Sequence, residues 1–420
     1  MDRSLQPDFR GPRAARPFQL MVKPAGAACN LACDYCYYLS KDALYPGGPH
    51  RMTDATLEAY VRQTIDAQPG PDVAFAWQGG EPTLMGLPFF ERAFELQRRH
   101  RRPGQRIHNA LQTNATLLDD AWGAFLRRHD VLVGVSVDGP EKLHDRYRKD
   151  LGGRGSFARV MRGVETLKRN RVAFNVLATV HRGNQRHPLE VYRFLRDELG
   201  AHHLQFIPIV ERQDAGSRDR VTDRSVDAGA YGEFLVAIFD DWVRHDVGRE
   251  FVQLFDVTLG AYLGRPGSLC VFDETCGRAP ALEHNGDVYA CDHYVRPDRL
   301  LGNLAEEPLA SLVDSEAQRR FGDAKRDTLP AACRSCDVRW LCHGGCPKDR
   351  LVPTGEPGAD LNHLCEGYRR FFVHTAPAMR FMADALRAGR PASTVMQWTA
   401  RQDGATTSPR RRAPNAPCAC

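Results

Sequence analysis

The 420-residue sequence lacks any apolar run near the ~18 residues that a membrane-spanning helix needs, its longest runs being of the Val131 to Val137 kind. The first twenty residues contain arginines but no apolar core of a secretion signal. A strong charge of one sign is also missing, since 57 basic residues stand against 52 acidic ones. That balance is weak support for a nucleic-acid partner. We therefore expect a soluble, cytoplasmic protein that binds neither a membrane nor nucleic acid.

The composition excludes disordered, fibrous and coiled-coil proteins, because 42% hydrophobic and 26% charged residues are typical of a globular chain. The length allows two or three domains of ~150 residues each. Cysteine, in contrast, is abundant. A cytosolic chain keeps its thiols reduced, so 13 cysteines indicate ligation of metals or clusters rather than disulfides.

Strand-like and helical patterns alternate through the first part of the chain, after an irregular leader at residues 1–17. Strands are expected at residues 18–23, 73–78, 106–113, 131–137, 172–180 and 203–209. Helices are expected at residues 53–65, 88–100, 118–129, 157–170, 189–199 and 231–243. Six such units predict an α/β fold whose parallel sheet is open or curled into a partial (β/α)6 barrel, spanning residues 18–250.

A second, cysteine-dense domain is expected at residues 251–371, because the alternation stops near Phe251. A terminal helix is expected at residues 372–390. The prolines and adjacent arginines of residues 391–420 predict a flexible tail, in which Cys418 and Cys420 remain unligated.

Residues that can carry chemistry follow the predicted strands, where a βα barrel has its active site. They are Cys29, Cys33 and Cys36 after the first strand, Gly79 to Pro82 after the second, Thr113 and Asn114 after the third, and Ser136 at the end of the fourth. Three thiolates within eight residues can bind one metal centre and leave one coordination position open. Structural zinc requires four ligands, so a 4Fe-4S cluster with one free iron fits better, with zinc as the alternative.

This combination resembles the radical S-adenosylmethionine (SAM) enzymes. In that family, three cysteines hold a 4Fe-4S cluster whose fourth iron binds the amino and carboxylate groups of SAM. The resemblance implies cofactor contacts for Tyr35 before the last cysteine, Gly79, Gly80 and Glu81 at the SAM amino group, Ser136 and Arg148 near its carboxylate and ribose, and Val210 at the adenine.

Eight further cysteines have a spacing that resembles the auxiliary-cluster (SPASM) domain of radical SAM peptide modifiers. The resemblance implies two more 4Fe-4S clusters with interleaved ligands. These are Cys270, Cys276, Cys291 and Cys346 for the first, and Cys333, Cys336, Cys342 and Cys365 for the second. Two structural zinc sites are the alternative that spacing alone leaves open, and a disulfide framework is disfavoured without a secretion signal.

Among SPASM proteins, the sequence is most similar to the anaerobic sulfatase-maturating enzymes over roughly residues 18–371. The similarity rests on the segments 77–84, 112–118, 136–148 and 285–292. It departs at Ala115, where that family often has glycine, at Pro208, and in the C-terminal tail. None of these departures touches an expected cluster ligand.

The similarity implies oxidation of a cysteine or serine in a sulfatase to Cα-formylglycine. A 5′-deoxyadenosyl radical would remove hydrogen from Cβ, the auxiliary clusters would accept an electron, and Asp292 would act as the base. An unfolded or nascent sulfatase and an electron donor such as flavodoxin or ferredoxin are the implied partners. Asp292 could instead cap a turn. A peptide maturase forming thioether or carbon-carbon crosslinks, and a non-catalytic metal-binding adaptor, are the alternative functions.

Overall fold

The computed structural model describes residues 12–46, 50–213, 221–265, 267 and 269–406. Its main feature is a ten-stranded sheet in the order β10-β9-β8-β1-β2-β3-β4-β5-β6-β7, with a separate β11-β12 pair. The strands are β1 Met21–Lys23, β2 Asp72–Trp77, β3 Arg106–Thr113, β4 Leu132–Ser136, β5 Phe174–Val180, β6 His203–Pro208, β7 Phe251–Val252, β8 Ala281–Glu283, β9 Asp287–Tyr289, β10 Leu300–Asn303, β11 Arg350–Val352 and β12 Leu361–Asn362. Neighbouring strands from β8 through β1 to β7 pair in parallel. The predicted α/β partial barrel is confirmed.

Helices connect the strands and cover the outer face of the sheet. They are α1 Asp54–Ala67, α2 Leu87–His100, α3 Asp120–Arg128, α4 Glu141–His144, α5 Phe157–Arg169, α6 Pro188–Arg193, α7 Ala228–His245, α8 Gln253–Tyr262, α9 Leu309–Val313, α10 Glu316–Asp327, α11 Ala331–Arg334, α12 Arg339–Cys342, α13 Cys365–Arg387 and α14 Val395–Thr406. Thr53 caps the N-terminus of α1, because its side chain accepts a hydrogen bond from the Thr56 amide. In the described residues, no helix has both the length and the apolar composition needed to cross a bilayer.

The expected boundary at residue 250 is wrong by one βα step. Strand β7 pairs in parallel with β6, and α8 follows it, so the alternation continues to Tyr262. A strand of two residues is too short to show an alternating pattern, which is why the sequence did not indicate it. The first strand is also shorter than expected, because it begins at Met21 rather than Phe18.

The cysteine-rich part is joined to the barrel by strand pairing. β8 lies parallel to β1, with Lys23 opposite Glu283, and β9 and β10 extend the same sheet in antiparallel fashion. Helix α13 begins at Cys365, so the boundary expected at residues 371 and 372 falls inside a continuous helix. The β1-β8 pairing therefore fixes the position of the cysteine-rich part relative to the C-terminal end of β1.

The flexible tail expected from residue 391 is wrong for its first part. Helix α14 packs against α7, and Val395 at its start is fully buried. Its Trp398 ring stacks on Phe381 of α13, with ring centroids 5.2 Å apart. These apolar contacts outweigh the local proline and arginine content on which the expectation rested. Residues 407–420, including Cys418 and Cys420, lie outside the described residues.

Candidate active site

The three-cysteine loop follows β1 at the C-terminal edge of the sheet. The Leu31 amide and the Asn114 side chain donate to the Cys29 sulfur at 3.4 and 3.7 Å. Burial, together with a smaller contribution from neighbouring thiols, raises the pKa of Cys29 to about 12 and that of Cys33 to about 11. Thiolates therefore need positive charge to form here, which bound iron would supply.

The Gly79 to Pro82 turn lies directly against this loop. A Cβ on Gly80 would stand 2.0 Å from the Ala28 carbonyl oxygen, so only glycine permits the approach. The Glu81 amide donates to the same oxygen at 2.8 Å. The Glu81 carboxylate, expected at the cofactor, accepts hydrogen bonds from the Thr113 hydroxyl and the Asn114 amide, both at 2.8 Å. It thus orders the end of β3, and its cofactor contact stays a prediction.

Asp138 connects the cysteine loop with the expected SAM contact Arg148. The Tyr35 hydroxyl and the Arg148 Nε donate to Asp138 Oδ2 at 2.5 and 2.9 Å, and the Thr179 amide donates to Oδ1 at 2.8 Å. The carboxylate is fully buried. Burial alone would raise its pKa, but Arg148, His144 and His181 more than offset this and lower the pKa below its usual value. An ionised Asp138 therefore holds Tyr35 and Arg148 in one arrangement.

The other expected SAM contacts lie around the same strand ends. Ser136 ends β4, and its hydroxyl accepts a hydrogen bond from Gln112 at 3.0 Å. Val210 lies just beyond β6 and packs, partly buried, against the core. His144 and Asp145 have local structural contacts instead. His144 contacts the Ser156 hydroxyl at 3.0 Å, and Asp145 accepts from the Ser156 amide at the start of α5.

The eight remaining described cysteines form two groups in space. We name them the first auxiliary group (Cys270, Cys276, Cys291 and Cys346) and the second auxiliary group (Cys333, Cys336, Cys342 and Cys365). Burial raises the pKa of Cys291, and the thiols that raise it further are Cys346 and Cys270. Burial also raises the pKa of Cys342 to about 12, with further contributions from Cys365, Cys333 and Cys336. Each set has the members of one ligand set that the resemblance implies, and ligation of a cluster by either set stays a prediction.

Buried cations accompany both auxiliary groups. The Lys325 ammonium donates to the Cys270 carbonyl oxygen at 2.6 Å. Arg350 donates to the Lys325 carbonyl oxygen at 2.7 Å. Its guanidinium also interacts electrostatically with Cys333 and Cys346, one thiol from each group. Positive charge buried beside these thiols would stabilise an anionic group bound to them.

The described cysteines form no disulfide, and zinc and 4Fe-4S clusters differ in how they arrange their sulfur ligands. Within the described residues, no three His, Cys, Asp or Glu side chains are placed to hold a single metal ion. Zinc would require its sulfur ligands about 2.3 Å from one point, whereas a 4Fe-4S cluster binds each cysteine through a different iron. All eleven described cysteines are free thiols.

Asp292 lies at the junction of the two parts of the molecule. Its Oδ1 is 2.5 Å from Lys23 Nζ, and its Oδ2 accepts a hydrogen bond from the Tyr37 hydroxyl. Burial would raise the pKa of Asp292, but Lys23, His293 and the hydrogen bond from Tyr37 together outweigh burial, so the pKa is lowered. The partners of the carboxylate in the described residues are side chains of the barrel part, so the geometry does not favour the turn-capping alternative.

Tyr38 and Glu283 extend this contact into a buried cluster, whereas the Tyr37 side chain is 45% exposed. The Tyr38 hydroxyl donates to Glu283 Oε1, and the Lys23 ammonium lies 4.6 Å from the centre of the Tyr38 ring. Lys23 and Glu283 face each other across the β1-β8 pair. Sequence reasoning did not identify Lys23, Tyr37 or Asp138. A lysine that ends an apolar strand immediately before a proline was the only available signal for Lys23.

Two segments of the chain match family models. Residues 24–195 match the Radical SAM superfamily, and residues 276–337 match SPASM, an iron-sulfur cluster-binding domain. The first match contains the three-cysteine loop, and the second contains four of the eight auxiliary cysteines. Fold, site and matches define a radical SAM enzyme with a SPASM domain.

Full-length relatives identify the family. A serine-type anaerobic sulfatase-maturating enzyme of Bacteroides thetaiotaomicron is 44% identical over 405 residues, 93% of this chain and 96% of that protein. A cysteine-type anaerobic sulfatase-maturating enzyme of Clostridium perfringens is 34% identical over 378 residues, 88% of this chain and 100% of that protein. The solved structure of native anSMEcpe with bound AdoMet and Cp18Cys peptide has a TM-score of 0.79 at 34% identity, covering 88% and 99% of the two chains. The chain belongs to the anaerobic sulfatase-maturating enzymes.

Proposed function

We propose that this enzyme oxidises a serine or cysteine side chain in an unfolded or nascent sulfatase to Cα-formylglycine. The observation that carries the proposal is the contact between Asp292 and the cysteine loop. Tyr37, the residue after Cys36, donates its hydroxyl hydrogen to Asp292. A carboxylate is thereby held beside the loop that would bind the radical-generating cofactor. The sulfatase as substrate is supported by the names of the relatives.

The thiols suit three 4Fe-4S clusters. The loop cysteines Cys29, Cys33 and Cys36 would hold the first and leave one iron for SAM, and each auxiliary group would provide four ligands to another. The close backbone approach at Gly80 leaves that turn free of side chains, which suits contact between its backbone and a SAM amino group. When bound, these groups supply a radical that removes a hydrogen atom from the substrate carbon and clusters that accept an electron.

The residues of the chain would bind SAM and move a proton. Arg148, fixed by Asp138, and Ser136 would hold the polar groups of SAM, with Tyr35, Gly79, Gly80, Glu81 and Val210 around it. Asp292 would accept the proton of the substrate hydroxyl or thiol. It is suited to this role because Lys23 keeps the carboxylate ionised in a buried position.

The remaining partners follow from the redox chemistry. A cluster held by Cys29, Cys33 and Cys36 would need one electron from outside the chain, and a small redox protein such as flavodoxin or ferredoxin is the donor we propose. The eleven free thiols suit a reducing compartment, so we place the enzyme in the cytoplasm. Serine is the target residue we favour, since the relatives at 44% and 39% identity are serine-type and that at 34% is cysteine-type.

The test is anaerobic incubation of reconstituted protein, SAM and reductant with matched serine and cysteine sulfatase peptides, followed by mass spectrometry. Serine oxidation removes two hydrogen atoms and gives an aldehyde that reacts with a hydrazide. A crosslink also removes two hydrogen atoms but leaves no aldehyde, so the hydrazide separates this proposal from the crosslinking alternative. Absence of any aldehyde from both peptides, despite SAM cleavage, would contradict the proposal.

A further inference from the structure

A cavity of about 390 Å³ lies against β5, β6, β7 and one face of α8. Its polar lining residues are Asn175, His203, Gln205, Gln253, Asp256 and Arg265. Its volume falls in the range of ordinary ligand pockets. None of the cluster ligands, and none of the SAM contacts proposed above, lines this cavity.

The cavity lies on the same face of the sheet as Ser136. In the parallel register, Ser136 is opposite Leu177, and Leu177 is opposite Gln205. Registered residues of parallel strands point to the same side, and adjacent strands are about 4.8 Å apart. Gln205 is therefore roughly 10 Å from the Ser136 position, in the same row of side chains. The cavity therefore lies inside the barrel, toward the first residues of β5, β6 and β7 and below the strand ends that carry the proposed SAM site.

The polar groups of the cavity lack partners within the protein. In the part of the chain that the structure describes, the side chains of Asn175, Gln205 and Gln253 make no hydrogen bond, and Asp256 and Arg265 make no ion pair. Accessible amides that line a cavity without partners are available to a ligand, since each offers donors and an acceptor. Phe251 adds apolar surface and is 37% exposed.

The chemistry of this lining selects its ligand. Three primary amides each offer donors and an acceptor, which match the alternating N–H and C=O groups of an extended polypeptide. One carboxylate and one guanidinium balance in charge, which suits neither a phosphate nor a nucleotide. We propose that the cavity, formed by the inner face of β5 to β7 and by α8, is a subsite for the polypeptide segment that flanks the target residue of the substrate. This inference rests on the proposed function.

Filling the cavity tests the proposal. Gly260 on α8 lines the cavity, and a Cβ at this position would meet nothing within 4 Å. Gly260→Leu should therefore fill part of the cavity, and leucine is compatible with the helix because its helix propensity is high. Gly70 also has nothing within 4 Å and lies outside the cavity, which makes Gly70→Leu the matched control. In reconstituted enzyme with a long target peptide, Gly260→Leu should raise KM at least 10-fold and leave kcat unchanged. Gly70→Leu should leave KM unchanged.

Removal of one amide should act in the same direction, so Gln205→Leu should raise KM by about 3- to 15-fold. Equal KM values for wild type, Gly260→Leu and Gln205→Leu would overturn the subsite.

A measurement on wild-type enzyme does not depend on variant folding or on turnover. Peptides with a photoreactive residue at each flanking position, irradiated in the presence of SAM, should crosslink to Gln253, Val257 or Gly260 from at least one position. Crosslinks found only elsewhere would overturn the subsite, whereas crosslinking here without aldehyde formation would contradict only the proposed function.

Discussion

The Lys23 ammonium lies 2.5 Å from Oδ1 of Asp292, and both side chains are buried where the barrel meets the cysteine-rich part. A buried ion pair is costly to break, because removal of one partner leaves an uncompensated charge. Here the pair joins the strand that leads into the cysteine loop to the residue after Cys291. Its geometry therefore fixes the proposed base relative to the site of radical formation.

Lys23→Met should destabilise the protein by about 3–5 kcal/mol, because Asp292 is left buried and unpaired. It should also lower aldehyde formation far more than SAM cleavage, because the base loses its orientation. The double variant Lys23→Met/Asp292→Leu removes both charges, so it should recover most of the lost stability without recovering aldehyde formation. Unfolding curves and product analysis check this. Recovery of both properties in the double variant would show that the pair is purely structural.

The reconstituted protein should contain about twelve irons and twelve sulfides, from three clusters held by eleven cysteines. Changing Cys29, Cys33 and Cys36 together to Ala should leave roughly two thirds of the iron and abolish SAM cleavage. Iron and sulfide analysis measures the first and chromatography of 5′-deoxyadenosine the second. Stoichiometric zinc without iron uptake would be incompatible with the cluster assignment.

Asp138→Asn should weaken SAM binding at least 10-fold, because the amide cannot hold Tyr35 and Arg148 as the carboxylate does. Iron content should stay near that of the wild type, since Asp138 is not a cluster ligand. Anaerobic equilibrium dialysis with labelled SAM measures the affinity. Asp120→Asn, at an exposed position that pairs with Arg169, is the control. Wild-type SAM affinity in a folded Asp138→Asn protein would refute the positioning role.

Two truncations separate the helical part of the C-terminal region from the residues beyond it. A chain ending at residue 406 keeps α14 and should retain wild-type iron content and melting temperature. A chain ending at residue 391 loses the buried Val395 and the Trp398 contact, so it should melt at lower temperature. Loss of iron from the chain that ends at residue 406 would mean that Cys418 or Cys420 is a ligand.

The local parts of the structure could be predicted from the sequence. Strand β3 has the predicted bounds, because its eight residues give a clear pattern, and the cysteine loop follows β1 as its spacing indicated. Strand β7 and helix α14 could not be predicted, since two residues carry no periodicity and the helix depends on contacts with α7 and α13. A local sequence pattern therefore does not reveal β7 or α14, because each depends on packing against distant parts of the chain.

The same limit applies to the site. Asp292 was singled out through its place beside Cys291, but its partner Lys23 lies far away in the sequence, on β1 of the barrel, and only the tertiary structure shows the contact. Asp138 stood in a recognised segment without a role until its contacts with Tyr35 and Arg148 were known. The Glu81 carboxylate, expected at SAM, is bound by Thr113 and Asn114, a contact that depends on the alignment of β2 with β3.

The most direct test of the central claim measures 5′-deoxyadenosine and peptide aldehyde in the same anaerobic reaction, for wild type and Asp292→Asn. The asparagine keeps the shape of the side chain but removes the proton acceptor, and a positioned general base contributes ~10²- to 10⁴-fold. The account predicts that the variant keeps three clusters, still forms 5′-deoxyadenosine, and makes aldehyde at least 10²-fold more slowly. Aldehyde formation near the wild-type rate would contradict the role of Asp292 as the base.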